Sequence, residues 1–169
     1  QQPMNCIMCG ACVSDCTVLE VDENFLGPAA LAKAYRIVAD PRHAPTKESL
    51  INLSQEGGIW DCTRCIECVQ VCPKGVAPMD QIIKLRELAI KEKLTKNVGA
   101  KHVIHFTESV SHSGTIDERT LPVKAAGLGW AIKNTGTAIK AILKGKIKPP
   151  LPGTHSSVTE VKDIRRIHT

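Results

Sequence analysis

Aromatic side chains are scarce in this chain of 169 residues, and long apolar runs are missing altogether. Two Trp, one Tyr and two Phe are the whole aromatic set, so a core must be built from Ile, Leu, Val and Ala, which suits small packed helices. No apolar stretch approaches the roughly 20 residues that a membrane-spanning helix needs. Hydrophobic residues at 43% and charged residues at 23% nevertheless exclude a disordered chain.

Recognisable catalytic motifs are also missing. The sequence contains no nucleophile–base pair, phosphate-binding loop or flavin-binding glycine fingerprint. Its C-terminal lysines have no interleaved aromatics or nucleic-acid motif beside them, which argues against nucleic acid as a partner. No secretory signal is visible, and the first residue, Gln1, is not Met, which predicts a processed or truncated start.

Cysteine, by contrast, is abundant and regularly spaced. All eight cysteines fall into two runs with identical spacing, Cys6-x2-Cys9-x2-Cys12-x3-Cys16 and Cys62-x2-Cys65-x2-Cys68-x3-Cys72. This spacing resembles the ligand run of two-cluster ferredoxins, in which the fourth Cys of each run binds the other cluster. Three thiolates at i, i+3 and i+6 on a tight turn reach three corners of one iron–sulfur cube. The fourth, on the short helix that follows, points toward a neighbouring cube.

The pattern therefore predicts two [4Fe-4S] clusters with crossed ligand sets. Cluster 1 is assigned to Cys6, Cys9, Cys12 and Cys72, and cluster 2 to Cys62, Cys65, Cys68 and Cys16. Disulfides and zinc are the rival interpretations. Four disulfides would need an oxidising compartment. Two zinc sites of four thiolates each would more usually show paired C-x2-C knuckles.

The rest of the sequence predicts a mainly α-helical fold, because no segment alternates as a strand would. The predicted helices span residues 27–39, 46–57, 78–96, 100–113 and 121–143. Residues 1–98 are assigned to an α-helical ferredoxin-like domain that binds both clusters. Residues 99–169 are assigned to C-terminal helices and an extended Pro/Lys-rich tail that contacts partners.

The residues around the ligands are expected to shield and tune the clusters. Five apolar residues between ligands should form a wall against water: Ile7, Met8, Ala11, Ile66 and Val69. Backbone N–H groups in both turns should donate to sulfur. Arg64, Glu67 and Lys74 are predicted to be the charged residues nearest the second cluster, and Trp60 to be core cover for it.

Two segments resemble a known family. Residues 62–75, in which the ligand run is followed by Pro73-Lys74-Gly75, look like the third cluster motif of succinate dehydrogenase and fumarate reductase iron–sulfur subunits. Residues 26–36, Leu-Gly-Pro-Ala-Ala-Leu-x3-Tyr-Arg, resemble the stretch that follows their second motif. The resemblance covers about residues 5–88, roughly half of the chain.

Two departures from that family matter. Its members generally carry an N-terminal ferredoxin domain with a [2Fe-2S] cluster, and none is seen ahead of Cys6. They also usually lack a cysteine at the position of Cys65, which leaves a [3Fe-4S] cluster near the quinone. With two complete runs and no ferredoxin domain, the chain is similar to the C subunit of heterodisulfide reductase and its relatives.

The resemblance implies an electron-transfer subunit, not catalytic alone, in a hetero-oligomeric reductase or dehydrogenase. In the heterodisulfide-reductase-like interpretation, it relays single electrons between a flavin-containing subunit and a disulfide-handling subunit. The alternatives are the iron–sulfur subunit of an unconventional succinate dehydrogenase or fumarate reductase linked to quinone, or a non-redox module with structural clusters. A cytoplasmic location is expected, either free of the membrane or peripheral on its inner face through partner subunits.

Three histidines and five lysines lie outside this scheme. His102, His105 and His112 share one face of a predicted helix, which would suit a metal site or a proton path. A polar surface is the favoured interpretation, because no acidic residues accompany them in the pattern of metal sites. The lysines would attract anionic lipid or an acidic subunit; they are Lys133, Lys140, Lys144, Lys146 and Lys148.

Overall fold

A computed structural model of the chain describes residues 2–43, 46–118 and 120–146, and every regular element within these ranges is helical. The predicted mainly α-helical fold is therefore confirmed. The chain forms two compact units, Gln1–Asn97 and Val98–Thr169. The boundary expected from the sequence lies one residue further along. The tail predicted to be extended falls, from residue 147 onward, outside the described residues.

The described part of the first unit opens with a 3-10 turn, Gln2–Asn5, followed by helices. These are α1 (Ala11–Ser14), α2 (Gly27–Val38), α3 (Thr46–Leu53), α4 (Glu67–Gln70) and α5 (Pro78–Lys91). The single-turn helices α1 and α4 each contain the third cysteine of a run. The fourth cysteines, Cys16 and Cys72, follow these helices instead of lying on them as predicted.

Helices α2 and α5 form the core that supports the cysteine turns. Leu31 on α2 and Ile82 and Leu85 on α5 are fully buried, and α3 packs against both helices. Burying a side chain of this size contributes about 1.5–3 kcal/mol, so each of these residues stabilises the unit. Because α1 packs on α2 and on α4, and α4 packs on α5, both cysteine turns rest on the same core.

A glycine pair lets the second cysteine run approach the start of α2. Gly57 has a φ of 77°, and a Cβ there would collide with the carbonyl oxygen of Asn24. A Cβ on Gly58 would collide with the carbonyl oxygen of Leu53. The Leu26 N–H donates to the Gly57 carbonyl oxygen at 2.8 Å. This close backbone packing positions the segment that leads into the second run.

Helix α5 ends sooner than the sequence predicts. It stops at Lys91 instead of near residue 96. Two residues later, Lys93 has a φ of 60°, in the left-handed region that no α-helix can continue through. The Leu94 N–H then turns back to donate to the Ala89 carbonyl oxygen at 2.9 Å, which closes the C-terminus of the helix.

The second unit contains one long helix and three short ones in its described part. These are α6 (Val98–Ser113), α7 (Leu121–Ala126), α8 (Leu128–Lys133) and α9 (Thr135–Leu143). The prediction of a single helix over residues 121–143 is wrong. The chain breaks at Gly127, whose φ of 87° is outside the helical range, and again at Asn134. Helix α7 packs against α6 and α8, and α8 contacts α9.

Candidate metal centre

The two cysteine runs repeat in backbone conformation as well as in spacing. Met8 and Arg64, each two residues after the first cysteine of a run, have φ values of 57° and 59°. Gly10 and Ile66, each directly after the second cysteine, have φ values of 82° and 74° and precede α1 and α4. A left-handed conformation costs a non-glycine residue roughly 1–2 kcal/mol. Strain of this kind concentrates at ligand sites. Here the left-handed residues curve each cysteine run around a cavity.

The first cavity brings together cysteines from both runs. Cys6, Cys9 and Cys12 line it together with Cys72. Its other walls are largely apolar; they include Ile7, Met8, Ala11, Ala29, Ala32, Val76 and Pro78. Lys74 is the charged residue on its rim.

The second cavity repeats this arrangement with the runs exchanged. Cys62, Cys65 and Cys68 line it together with Cys16. Its walls come mainly from the loop before α2 and from α5, and they include Val18, Phe25, Pro28, Ile66, Met79 and Ile82. The structure thus groups the eight cysteines into the two sets of four that the sequence pattern predicts as ligand sets.

The electrostatics of the thiols show that the two sets are close neighbours. Burial raises the pKa of Cys12, and the nearby charges of Cys6 and Cys72 raise it further. Burial likewise raises the pKa of Cys68 to about 11, with contributions from Cys62 and Cys65 of its own set and from Cys12 of the other. Concentrated thiols of this kind ionise readily only when a cationic centre offsets their charge.

Several donors point at the sulfur atoms. The Val76 N–H donates to Cys72 Sγ at 3.3 Å, and the Met79 N–H lowers the pKa of Cys68 against the larger effect of burial. The Thr17 hydroxyl is the main cause of the lowered pKa of Cys65. Hydrogen bonds of this type stabilise the thiolate form and are one means of tuning a cluster.

The cavities suit a cluster better than the rival groups. All eight cysteines are free thiols, so no disulfide joins them. Among the described residues, no three Cys, His, Asp or Glu side chains converge closely enough to hold a single metal ion. Zinc needs all four sulfurs about 2.3 Å from one point. Four thiols spread around a cavity instead match a cube, which binds one thiolate at each of four separate irons.

A buried arginine that the sequence analysis missed holds the second run in place. Arg86, on α5, is only 5% exposed. Its Nε donates to the Ile59 carbonyl oxygen at 2.7 Å, and its Nη2 donates to the Cys62 carbonyl oxygen at 2.8 Å. The guanidinium also lies 5.5 Å from the ring centroid of Trp60. Burial lowers the pKa of Arg86, and the charge of Cys62 partly opposes this.

A signal for Arg86 was present in the sequence. On α5, Ile82, Leu85 and Ala89 form the buried stripe, and Arg86 lies four residues after Ile82, on the same face. A charged residue within an apolar stripe marks a buried cation with backbone or acidic partners.

Other predicted shielding residues are placed differently from expectation. Ile7, Met8 and Ile66 line the cavities but are also largely exposed, so they cover the sites only from one side. Lys74 lies at the first cavity and not at the second, because it follows Cys72 there. Trp60 is buried but does not line either cavity; it packs on Arg86 instead.

The three histidines of α6 show no metal-binding arrangement. His105 Nδ1 lies 2.9 Å from Glu108 Oε2, and the ring of His102 lies 6.3 Å from that of Phe106. No group of three potential metal ligands forms on the described part of this helix. The favoured interpretation, a polar surface, fits these contacts, but the expectation that no acidic residue accompanies the histidines is wrong at His105, which pairs with Glu108.

Comparison with known proteins agrees with this geometry. Residues 3–76 match the family described as the 4Fe-4S dicluster domain. The chain is 40% identical to a fumarate reductase iron–sulfur subunit of Escherichia coli over 73 residues. This match covers 43% of the chain and 30% of the relative. Over 88 residues, 52% of this chain, it is 34% identical to a succinate dehydrogenase iron–sulfur subunit of Coxiella burnetii, of which it covers 37%.

A third similarity extends beyond the first unit. The chain is 33% identical over 149 residues to the iron–sulfur subunit of 8-methylmenaquinol:fumarate reductase from Wolinella succinogenes. This match covers 86% of the chain, so it continues past Asn97 into the second unit. The chain spans less than half the length of each of these relatives. It therefore carries a 4Fe-4S domain and is homologous to the iron–sulfur subunits of fumarate reductases and succinate dehydrogenases.

Proposed function

We propose that each cavity holds one [4Fe-4S] cluster and that the chain relays single electrons between partner subunits of a larger redox complex. The observation that carries this proposal is the exchange of the fourth cysteine. Cys72 lines the cavity of the first run, and Cys16 lines that of the second. Exchanged ligands bring two sites close together, as a relay requires, whereas a purely structural metal site has no need of a neighbour.

Different residues of the chain bind the clusters and adjust the charge around them. A bound [4Fe-4S] cluster supplies reversible one-electron chemistry. The eight thiolates hold iron, and the N–H groups of Val76 and Met79 reduce the negative charge on two of the sulfurs. Arg86 places a buried positive charge beside Cys62. The Val76 N–H favours the reduced state of the first site, and the Met79 N–H and Arg86 favour that of the second, because each offsets the charge that an electron adds.

The partners are proposed from the family resemblance of the sequence and from the names of the relatives. We propose that one partner contains flavin, as the resemblance implies, and that the other is linked to a quinone. The Wolinella succinogenes relative supports this proposal, since its name couples a menaquinol to fumarate and its similarity reaches both units. The sequence contains no recognisable nucleophile–base pair or flavin-binding glycine fingerprint, so we assign two-electron chemistry to a partner.

A second candidate is the heterodisulfide-reductase-like relay, with a disulfide-handling subunit in place of the quinone-linked one. One observation favours it. Cys65 lines the second cavity with the other three cysteines, so this site has a complete set of four thiols. A complete set is the feature that the sequence shares with the heterodisulfide reductase C subunit. Co-purification of the chain from its native cells, with identification of its partners by mass spectrometry, distinguishes the two candidates.

Anaerobic reconstitution tests the number of clusters and their redox role. We expect about eight iron and eight sulfide ions per chain, four of each for every cluster. Reduction should produce EPR signals from two interacting clusters, because the cavities adjoin. A content of about four irons contradicts the proposal of two clusters. Clusters that stay EPR-silent across the accessible potential range favour a structural role over a relay.

The variant Cys65→Ser tests the assignment of the second cavity. We expect it to lose about one iron per chain and to convert one cluster to a [3Fe-4S] form. That form is paramagnetic when oxidised, whereas an oxidised [4Fe-4S] cluster is diamagnetic, so the air-oxidised variant should gain an EPR signal. The matched control is Ser14→Ala on the neighbouring α1 turn, which removes a hydroxyl that lines neither cavity. An unchanged iron content both in Cys65→Ser and in Cys65→Ala, which leaves no oxygen ligand in place of the thiolate, would show that Cys65 is not a ligand.

A further inference from the structure

Helices α8 and α9 present apolar side chains that nothing in the described second unit covers. Neither helix contains a buried residue. Leu128 and Ile132 on α8 are 74% and 75% exposed, and Leu143 on α9 is 81% exposed. Leu128 and Ile132 are four residues apart, as are Ile139 and Leu143, so each helix displays an apolar pair on one face. The exposed large apolar side chains of this segment are Leu128, Trp130, Ile132, Ile139 and Leu143.

The charge of the same segment has one sign only. Between Thr120 and Lys146 the sequence contains no Asp or Glu. Its lysines are Lys124, Lys133, Lys140, Lys144 and Lys146. On α9, Lys140 directly follows Ile139, and Lys144 directly follows Leu143, so each exposed apolar residue of the pair has a lysine beside it. On α9 the two lysines therefore lie about 100° around the helix from the apolar pair, directly beside its apolar face.

We infer that α8 and α9 dock the chain on the surface of an anionic lipid membrane. This face needs a partner that accepts apolar side chains and negative charge side by side, and the headgroup–acyl boundary of an anionic bilayer offers both. An acidic protein surface would satisfy the lysines but would need a preformed apolar groove for two protruding helices. A bilayer deforms around protruding side chains and needs no such groove.

The dimensions fit a helix pair that lies on the membrane and does not cross it. At 1.5 Å per residue, the nine residues of α9 extend about 14 Å, against roughly 30 Å of hydrocarbon. No helix in the described ranges is long and apolar enough to span a bilayer. Trp130, which is 47% exposed on α8, has the amphipathic ring that is enriched at membrane interfaces.

Vesicle sedimentation with the cluster-loaded full chain tests the inference. One set of vesicles contains phosphatidylcholine alone, and the other contains equal parts of phosphatidylglycerol and phosphatidylcholine. We expect the chain to bind the anionic vesicles, and to bind the neutral ones with an affinity at least about tenfold lower. Trp130 emission should shift to shorter wavelength on binding, and the shift should be lost in Trp130→Phe. No binding to anionic vesicles overturns the inference.

Three variants separate lipid insertion from simple charge attraction. Ile132→Asp and Leu143→Asp should each weaken binding to anionic vesicles about tenfold, because a carboxylate cannot enter the acyl boundary. The matched control is Val21→Asp, which places the same charge at a residue that is 89% exposed in the first unit. It should bind nearly as the wild type does, and an equal loss in this control overturns the inference.

Soluble polyglutamate serves as the probe for an acidic protein partner. It should not shift Trp130 emission, because it offers charge without an apolar phase. If polyglutamate reproduces the shift and displaces the chain from anionic vesicles, the face recognises polyanions in general, and the lipid assignment is wrong. Iron content measured in parallel on each variant should stay unchanged, since these residues line neither cysteine cavity. If one of these variants loses its clusters, the substituted residue affects cluster binding, which contradicts its assignment to lipid binding alone.

Discussion

The double variant Cys6→Ala with Cys72→Ala is expected to keep one intact [4Fe-4S] cluster, although its two cysteines belong to different runs. Both thiols line the first cavity, so both substitutions damage the same site. The second cavity keeps all four of its cysteines. We therefore expect the reduced variant to show the EPR signal of one intact cluster, with a spin integral of about one per chain.

The matched variant removes the same number of cysteines from a single run. Cys62→Ala with Cys72→Ala takes one thiol from each cavity, since Cys62 lines the second and Cys72 the first. No intact cluster should remain, and the signal of the reduced [4Fe-4S] form should disappear. An uncrossed arrangement reverses the two results, because Cys62 and Cys72 would then share a site. One pair of samples thus distinguishes the two ligand schemes.

The grouping of the cysteines around the two cavities was predictable because it follows from their spacing. Three thiols at i, i+3 and i+6 reach one cube only on a tight turn, and the repeat fixes two such turns. The exchange of Cys16 and Cys72 also implied where Lys74 would lie. A residue two positions after Cys72 must follow it to the first cavity, and assigning Lys74 to the second ignored the crossing that the sequence itself indicated.

The breaks after α7 and α8 were harder to predict from the sequence. A glycine inside a helix costs only about 1 kcal/mol relative to alanine, so surrounding contacts decide whether the helix continues. Buried Leu121 and Ala125 tie α7 to its neighbours, whereas α8 and α9 bury no residue. The single predicted helix is interrupted at Gly127, directly after the packed α7. Local propensity alone carries no information about such packing.

Arg86 was missed for a different reason. Its position on the buried face of α5 was visible in the sequence, but its partners are backbone carbonyls of Ile59 and Cys62, more than twenty residues earlier. Every residue has a backbone carbonyl oxygen, so the sequence does not reveal which carbonyl accepts a bond from an arginine. Only the packed structure shows that this cation supports the start of the second cysteine run.

Replacing Arg86 with alanine should destabilise the cluster-loaded chain by about 2–4 kcal/mol. One buried and one partly buried carbonyl oxygen lose their donor, at about 1–3 kcal/mol each, and relief from burying the guanidinium offsets part of that cost. For a chain of this size, 1 kcal/mol corresponds to about 2–4 °C in Tm, so a decrease of at least about 4 °C is expected. Thermal unfolding under anaerobic conditions, followed by circular dichroism at a fixed scan rate, measures it.

Two further variants separate the positioning role of Arg86 from its charge. Arg86→Lys keeps the positive charge but cannot bond both carbonyl oxygens, so Tm should fall while the reduction potential of the second cluster stays near that of the wild type. Arg86→Gln should lower that potential in an EPR redox titration, because the buried cation beside Cys62 is lost. The control is Arg42→Ala, which removes an exposed guanidinium paired with Asp40 and should change neither quantity. If Arg86→Gln leaves the potential unchanged while Tm falls, Arg86 stabilises the loop but does not tune the cluster.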